Sequence, residues 1–142
     1  AILTLTSSGV GHRFPTYSVP KIVLSSVMID GDGKPIIESR QEKVIQRKIR
    51  SSNGKWEEVS DTRLKPGESV ILTDSWSQGN MKSGKIRFDV WVDPDHHYYN
   101  AVYPKLIKEL PDGHSKHLIT QALFEAKMNR YLLFRQEVGA PQ

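Results

Sequence analysis

The chain contains no cysteine. That excludes a disulfide, a thiolate-ligated zinc, an iron–sulfur cluster and a cysteine nucleophile together. It also excludes covalent haem on this chain, because attachment needs C-x-x-C-H. Long apolar runs are missing too: none approaches the roughly 18 residues of a spanning helix, so no transmembrane segment is expected. Apolar residues are 37% of the 142, against about 45–50% in globular chains when glycine is counted. No P-loop, Gly-x-Ser-x-Gly or His-Glu-x-x-His occurs, and the carboxylates are scattered among lysines and arginines as on a surface. The chain opens at Ala1 without a signal-peptide pattern, which fits both a removed leader and a piece of a longer protein.

What is present reads as one domain, 1–142, large enough for a real core. The formal charge is +4, from 20 Lys+Arg and 16 Asp+Glu. The densest basic run is Lys43 to Arg50, where Lys43, Arg47, Lys48 and Arg50 alternate with Val44, Ile45 and Ile49. It is either a solvated strand face or a surface for an anionic partner. No nucleic-acid motif accompanies it, so nucleic acid is not an expected partner.

Alternation and turn signals predict strands at Ile2–Thr6, Lys21–Asp30, Pro35–Ser39, Glu42–Ser51, Lys55–Val59, Glu68–Thr73 and Lys85–Asp93. Asp32-Gly33 and Asn53-Gly54 are hairpin turns by composition. Trp56, just past the second turn, is placed to cover the hairpin's inner face. Trp91 lies opposite the core face of its strand and needs cover of its own. Leu118–Phe134 lacks Gly and Pro, and Ile119, Ala122, Leu123, Ala126 and Leu133 recur at helical spacing. Phe124, Met128, Tyr131 and Leu132 widen that stripe. A C-terminal helix over about 115–136 packed on the sheet is expected, followed by a frayed tail at Gly139–Gln142. The fold class is mainly β: an antiparallel, immunoglobulin-like β-sandwich with a C-terminal α-helix.

Chemistry concentrates in Gly9-Val10-Gly11-His12-Arg13-Phe14-Pro15-Thr16. Two glycines permit a sharp turn, and Pro15 braces the other side. Two further clusters carry histidine. Asp93-Pro94-Asp95-His96-His97 has types that suit copper or zinc, although neighbours in an extended chain face opposite ways. His114 and His117 share a face if the last helix begins early, with Ser115 a candidate cap. A polar loop is the simpler account of the first cluster, and a turn at Pro111-Asp112-Gly113 of the second.

The first stretch resembles the Gly-x-Gly-His-x-Phe-Pro-Thr signature of the β-sandwich accessory (C-terminal) domain of multihaem c-type cytochromes. Asp61-Thr62-Arg63-Leu64-Lys65-Pro66-Gly67 resembles a later turn of that domain. The sequence departs from the family at Tyr17, where glycine usually follows the threonine. The resemblance implies a non-catalytic, haem-proximal domain of, or partner to, such a cytochrome in periplasmic or extracellular electron transfer. It implies haem c carried by another segment or subunit, His12 as a distal axial ligand to the haem iron, Arg13 toward a propionate and Phe14 at the porphyrin edge. Alternatives are a small copper-binding protein using His12 with His96 or His97, and a structural adhesion or assembly module. A homo-oligomer is compatible with any of these.

Overall fold

The computed structural model describes residues 1–76 and 84–139. Its strands are β1 (Ile2–Thr6), β2 (Lys21–Ile29), β3 (Pro35–Ile45), β4 (Arg47–Ser52), β5 (Lys55–Asp61), β6 (Ser69–Thr73), β7 (Lys85–Asp93) and β8 (Tyr131–Gly139). Between β7 and β8 come a π-helical turn (Tyr98–Val102), α1 (Tyr103–Glu109) and α2 (His114–Met128). Pairing is antiparallel throughout, in three sheets: β1-β6, β3-β2-β7-β8 and the β4-β5 hairpin. The mainly β, antiparallel class expected from sequence is therefore observed.

The alternation in β7 explains where the core lies. Ile86, Phe88 and Val90 point to one face, and Ile22, Leu24 and Ile45 of β2 and β3 join them. Leu72 of β6 and Leu64 close the cluster, with Leu3, Leu5 and Val70 packed against it. The β1-β6 sheet thus lies over one face of the four-stranded sheet. Asn53 (φ 51°) and Gly54 (φ 73°) make the β4-β5 turn with the left-handed backbone that Asn-Gly favours.

Several expectations are corrected. The strand expected over Glu42–Ser51 breaks at Gln46, and β3 runs unbroken from Pro35 to Ile45. Gln46 is the corner at which the chain leaves one sheet for the next: its N–H donates to Thr62 Oγ1 (3.0 Å), and Thr62 N–H donates back to its carbonyl (3.0 Å). The C-terminal helix is shorter than expected. It ends at Met128, and Tyr131–Gly139 pairs with β7 as a strand. Residues 131–134 are four consecutive apolar side chains that serve helix or strand equally. The open edge of β7 supplies a ladder of backbone partners that a helix there would forgo. Gly139 belongs to this strand; the rest of the expected frayed tail lies outside the described residues.

Nor does α2 pack on the sheet as expected. Its partners are α1 and the π-helical turn, and only Ala126 of its stripe is buried. Ser115 lies inside α2; the N-cap is Gly113. Leu123 is half-buried. Leu123→Ala should therefore cost less than about 2 kcal/mol, below the range for fully buried leucines. Urea unfolding of the two proteins reads this directly.

Candidate functional site

The loop before β2 is held from below by the segment after β5. Phe14 and Leu64 form an isolated antiparallel bridge, Phe14 N–H donating to the Leu64 carbonyl (2.8 Å) and Leu64 N–H to that of Phe14 (2.9 Å). Gly67 N–H donates to the Ser7 carbonyl (2.7 Å) and Ser7 N–H to that of Glu68 (2.9 Å). Arg63 reaches across to the Thr16 carbonyl (2.8 Å). The two stretches singled out in the sequence, 9–16 and 61–67, are thus one docked unit.

Within it, the three candidate side chains have different situations. His12 is exposed. Its Nδ1 lies 3.1 Å from the Arg13 carbonyl and 3.3 Å from Thr16 Oγ1. A carbonyl only accepts, so Nδ1 carries the proton and donates, which leaves the lone pair on Nε2. Nε2 has no hydrogen-bond partner among the described residues. Arg13 is exposed, its guanidinium lying against the loop 3.5 Å from the Arg63 carbonyl and 3.9 Å from Asp61. Phe14 is half-buried against the core cluster.

Asp61 is the electrostatic anchor of the unit. Arg63 holds it bidentately (Nε–Oδ1 2.9 Å, NH2–Oδ2 2.8 Å). Those bonds, with the Arg63 N–H and the charge of Arg13 behind them, bring its carboxyl down to about 2. The folded value lies below that of an unfolded aspartate, about 3.9. Its contribution is therefore complete above that value and is lost as pH falls through the folded one. In urea titrations from pH 5 to pH 2, Asp61→Asn should flatten the acid decline in stability. An unchanged slope would remove Asp61 from the account.

His96 and His97 sit in the helical turn after β7, not in extended chain. Tyr99 Oη donates to Asp93 Oδ2, so its oxygen accepts from His96 Nδ1 (3.0 Å). Burial, with Lys21 adding to it, lowers the His96 pKa against the opposite pull of Asp93. Burial, then the bond to Asp93, pushes Tyr99 up to about 12. His97 is turned to Trp56, ring centroids 5.8 Å apart, and burial lowers its pKa. The two imidazoles thus have separate partners. His114 and His117 are both exposed on the first turn of α2. Among the described residues no three His, Asp or Glu side chains form a metal-holding group.

Of the basic run at residues 43–50, the two arginines are paired across the hairpin: Arg47 with Glu58 (2.7 Å) and Arg50 with Glu57 (3.1 Å). Trp56 does not cover the hairpin's inside. It is exposed and lines a groove of about 380 Å³ between the hairpin and α1, with Ile49, Val102 and Leu106. Neither α1 nor this groove was anticipated from the sequence; Pro104 sits in the first turn of α1, where proline suits a helix.

Comparison with family models, curated protein sequences and solved structures finds no match to this chain.

Proposed function

We propose that this chain is a non-catalytic, haem-proximal β-sandwich domain that acts with a multihaem c-type cytochrome, in periplasmic or extracellular electron transfer. The observation that carries the reading is the state of His12: an exposed ring whose Nδ1 is fixed by its own loop while Nε2 keeps its lone pair. That is how a protein holds an axial imidazole, the second nitrogen's bond setting tautomer and orientation. The axial ligand in turn tunes a haem's reduction potential. The resemblance of residues 9–16 and 61–67 to the cytochrome accessory domain supports the same reading, as does their docking against each other.

Arg13 would meet a propionate by leaving its long contacts to the Arg63 carbonyl and Asp61. Phe14 serves mainly as the loop's anchor, so its contact with a porphyrin edge is confined to its exposed part.

A haem c peptide with one open axial position tests this without knowledge of the natural partner. The domain should convert its high-spin absorption spectrum to low-spin, and His12→Ala should abolish the change with the melting temperature nearly unaltered. Conversion that survives His12→Ala would assign ligation to another histidine and overturn the reading. A fall in stability with an unaltered spectrum would mark His12 as structural.

A further inference from the structure

The face of the four-stranded sheet opposite the core carries a concavity of about 390 Å³ lined by Arg40, Arg87, Asp89, Trp91, Arg130 and Arg135. Strand register assembles it. Asp89 of β7 lies opposite Arg135 of β8, and Arg87 is two residues along the same strand face. Arg40 comes from β3, and Arg130 from the link between α2 and β8.

The four guanidiniums are unequally satisfied. Asp89 is nearly buried (6% exposed). Both its oxygens are held by Arg135, at 2.7 and 2.9 Å. Arg87 Nε stands 3.6 Å from Asp89, is buried, and has no hydrogen-bond partner among the described residues. Arg130 stands over the Trp91 ring at 4.8 Å, with no carboxylate at ion-pair distance among the described residues. Arg40 alone has a private partner, Glu42 at 2.7 Å. Lys85 pairs with Glu137 at the upper end of the face (3.1 Å), and Lys21 lies opposite Asp93 at the lower. With those ends counted, the cations still exceed the carboxylates by two, and the excess belongs to Arg87 and Arg130.

We propose that this concavity binds a compact dianion of the phosphoryl class, as free phosphate or as the terminal group of a phosphomonoester. Two uncompensated charges match a dianion. Guanidinium forks pair bidentately with phosphate oxygens, and a partly desolvated cradle strengthens the pairing. The Arg87 guanidinium, short of an acceptor, turns from the occupied Asp89 toward the ligand. Arg130, positioned by Trp91, closes the other side. The proposal uses no part of the His12 loop.

Calorimetric titration of the protein with inorganic phosphate at pH 8, in a chloride buffer of constant ionic strength, tests it. Saturable one-site binding and a matching rise in melting temperature are expected. Arg87→Gln and Arg130→Gln should each weaken binding at least tenfold, and Arg50→Gln on the distant hairpin should leave it unchanged. Arg87→Lys, which keeps charge but not the fork, should fall between. Methyl phosphate binding as well as phosphate would assign the site to a phosphomonoester, and exclusion of methyl phosphate to the free anion. Equal stabilisation by added chloride, or wild-type binding by both glutamine variants, would overturn the proposal. If Arg87→Gln fails to fold by circular dichroism, the exposed Arg130 decides alone.

Discussion

Phe88→Ala should be among the most damaging single substitutions in this chain, at a cost of about 3–5 kcal/mol. Phe88 is 2% exposed in the middle of β7, with Ser26 of β2 on one flank and Gln136 of β8 on the other. It is also the largest of the fully buried side chains among the described residues. Its ring fills the gap between the four-stranded sheet and the β1-β6 sheet, where Leu72 and Leu24 also converge. Backbone pairing on both sides pins the strand, so the neighbours cannot slide in to fill the void, and the cavity term adds to the transfer term. Urea unfolding measures the cost. Trp56→Ala is the natural control: that larger ring is 62% exposed, and its loss should change stability by no more than about 0.5 kcal/mol. A Phe88 variant that unfolds like the Trp56 variant would mean that the two sheets do not share a core.

The same strand shows why much of the fold was legible. In Lys85–Asp93 apolar residues recur at every second position from Ile86 to Val92, with Trp91 alone of the intervening residues apolar, and the observed strand has those bounds. Asn53-Gly54 fixed the hairpin because few residue pairs accept two positive φ values. The loop of residues 9–16 stood out for a related reason, since its glycines, proline and histidine form a pattern within eight residues. The failures have equally local causes. After Met128 only Asn129 and Arg130 interrupt the apolar residues, and neither is a glycine or proline that would mark the end of a helix. What decides strand over helix there is the edge of β7, whose central residue Asp89 lies 46 positions before its partner Arg135. Gln46 is similar: its corner is made by Thr62, so nothing beside it in sequence marks the break. The arginine cradle was invisible because its residues span 40 to 135, and only the strand register brings them onto one face.

That register gives the second large effect. Asp89→Ala should cost about 2–4 kcal/mol, somewhat below a fully buried pair because Arg135 is partly exposed and finds water when its partner goes. The residue is buried at the centre of the outer sheet face, bonded twice to Arg135 and 3.6 Å from Arg87. With it removed, Arg87 keeps its low exposure and loses the carboxylate 3.6 Å from it, Glu137 across the ladder being taken by Lys85, and three guanidiniums repel one another across the concavity. Asp89→Asn should recover part of the loss, because the amide oxygen still accepts from Arg135 while the net charge stays unbalanced. Unfolding in urea at low salt separates the two variants, and high salt should narrow the gap by screening. If the concavity holds a dianion, phosphate should restore more stability to the Asp89 variants than to the parent protein. A ligand that binds only the folded state stabilises it in proportion to the logarithm of its saturation, and removal of a competing carboxylate tightens that binding. Equal stabilisation of variant and parent would show that Asp89 and the anion do not share the same guanidiniums. A greater gain in the variants ties the strength of the ion pair and the affinity of the site to one set of arginines.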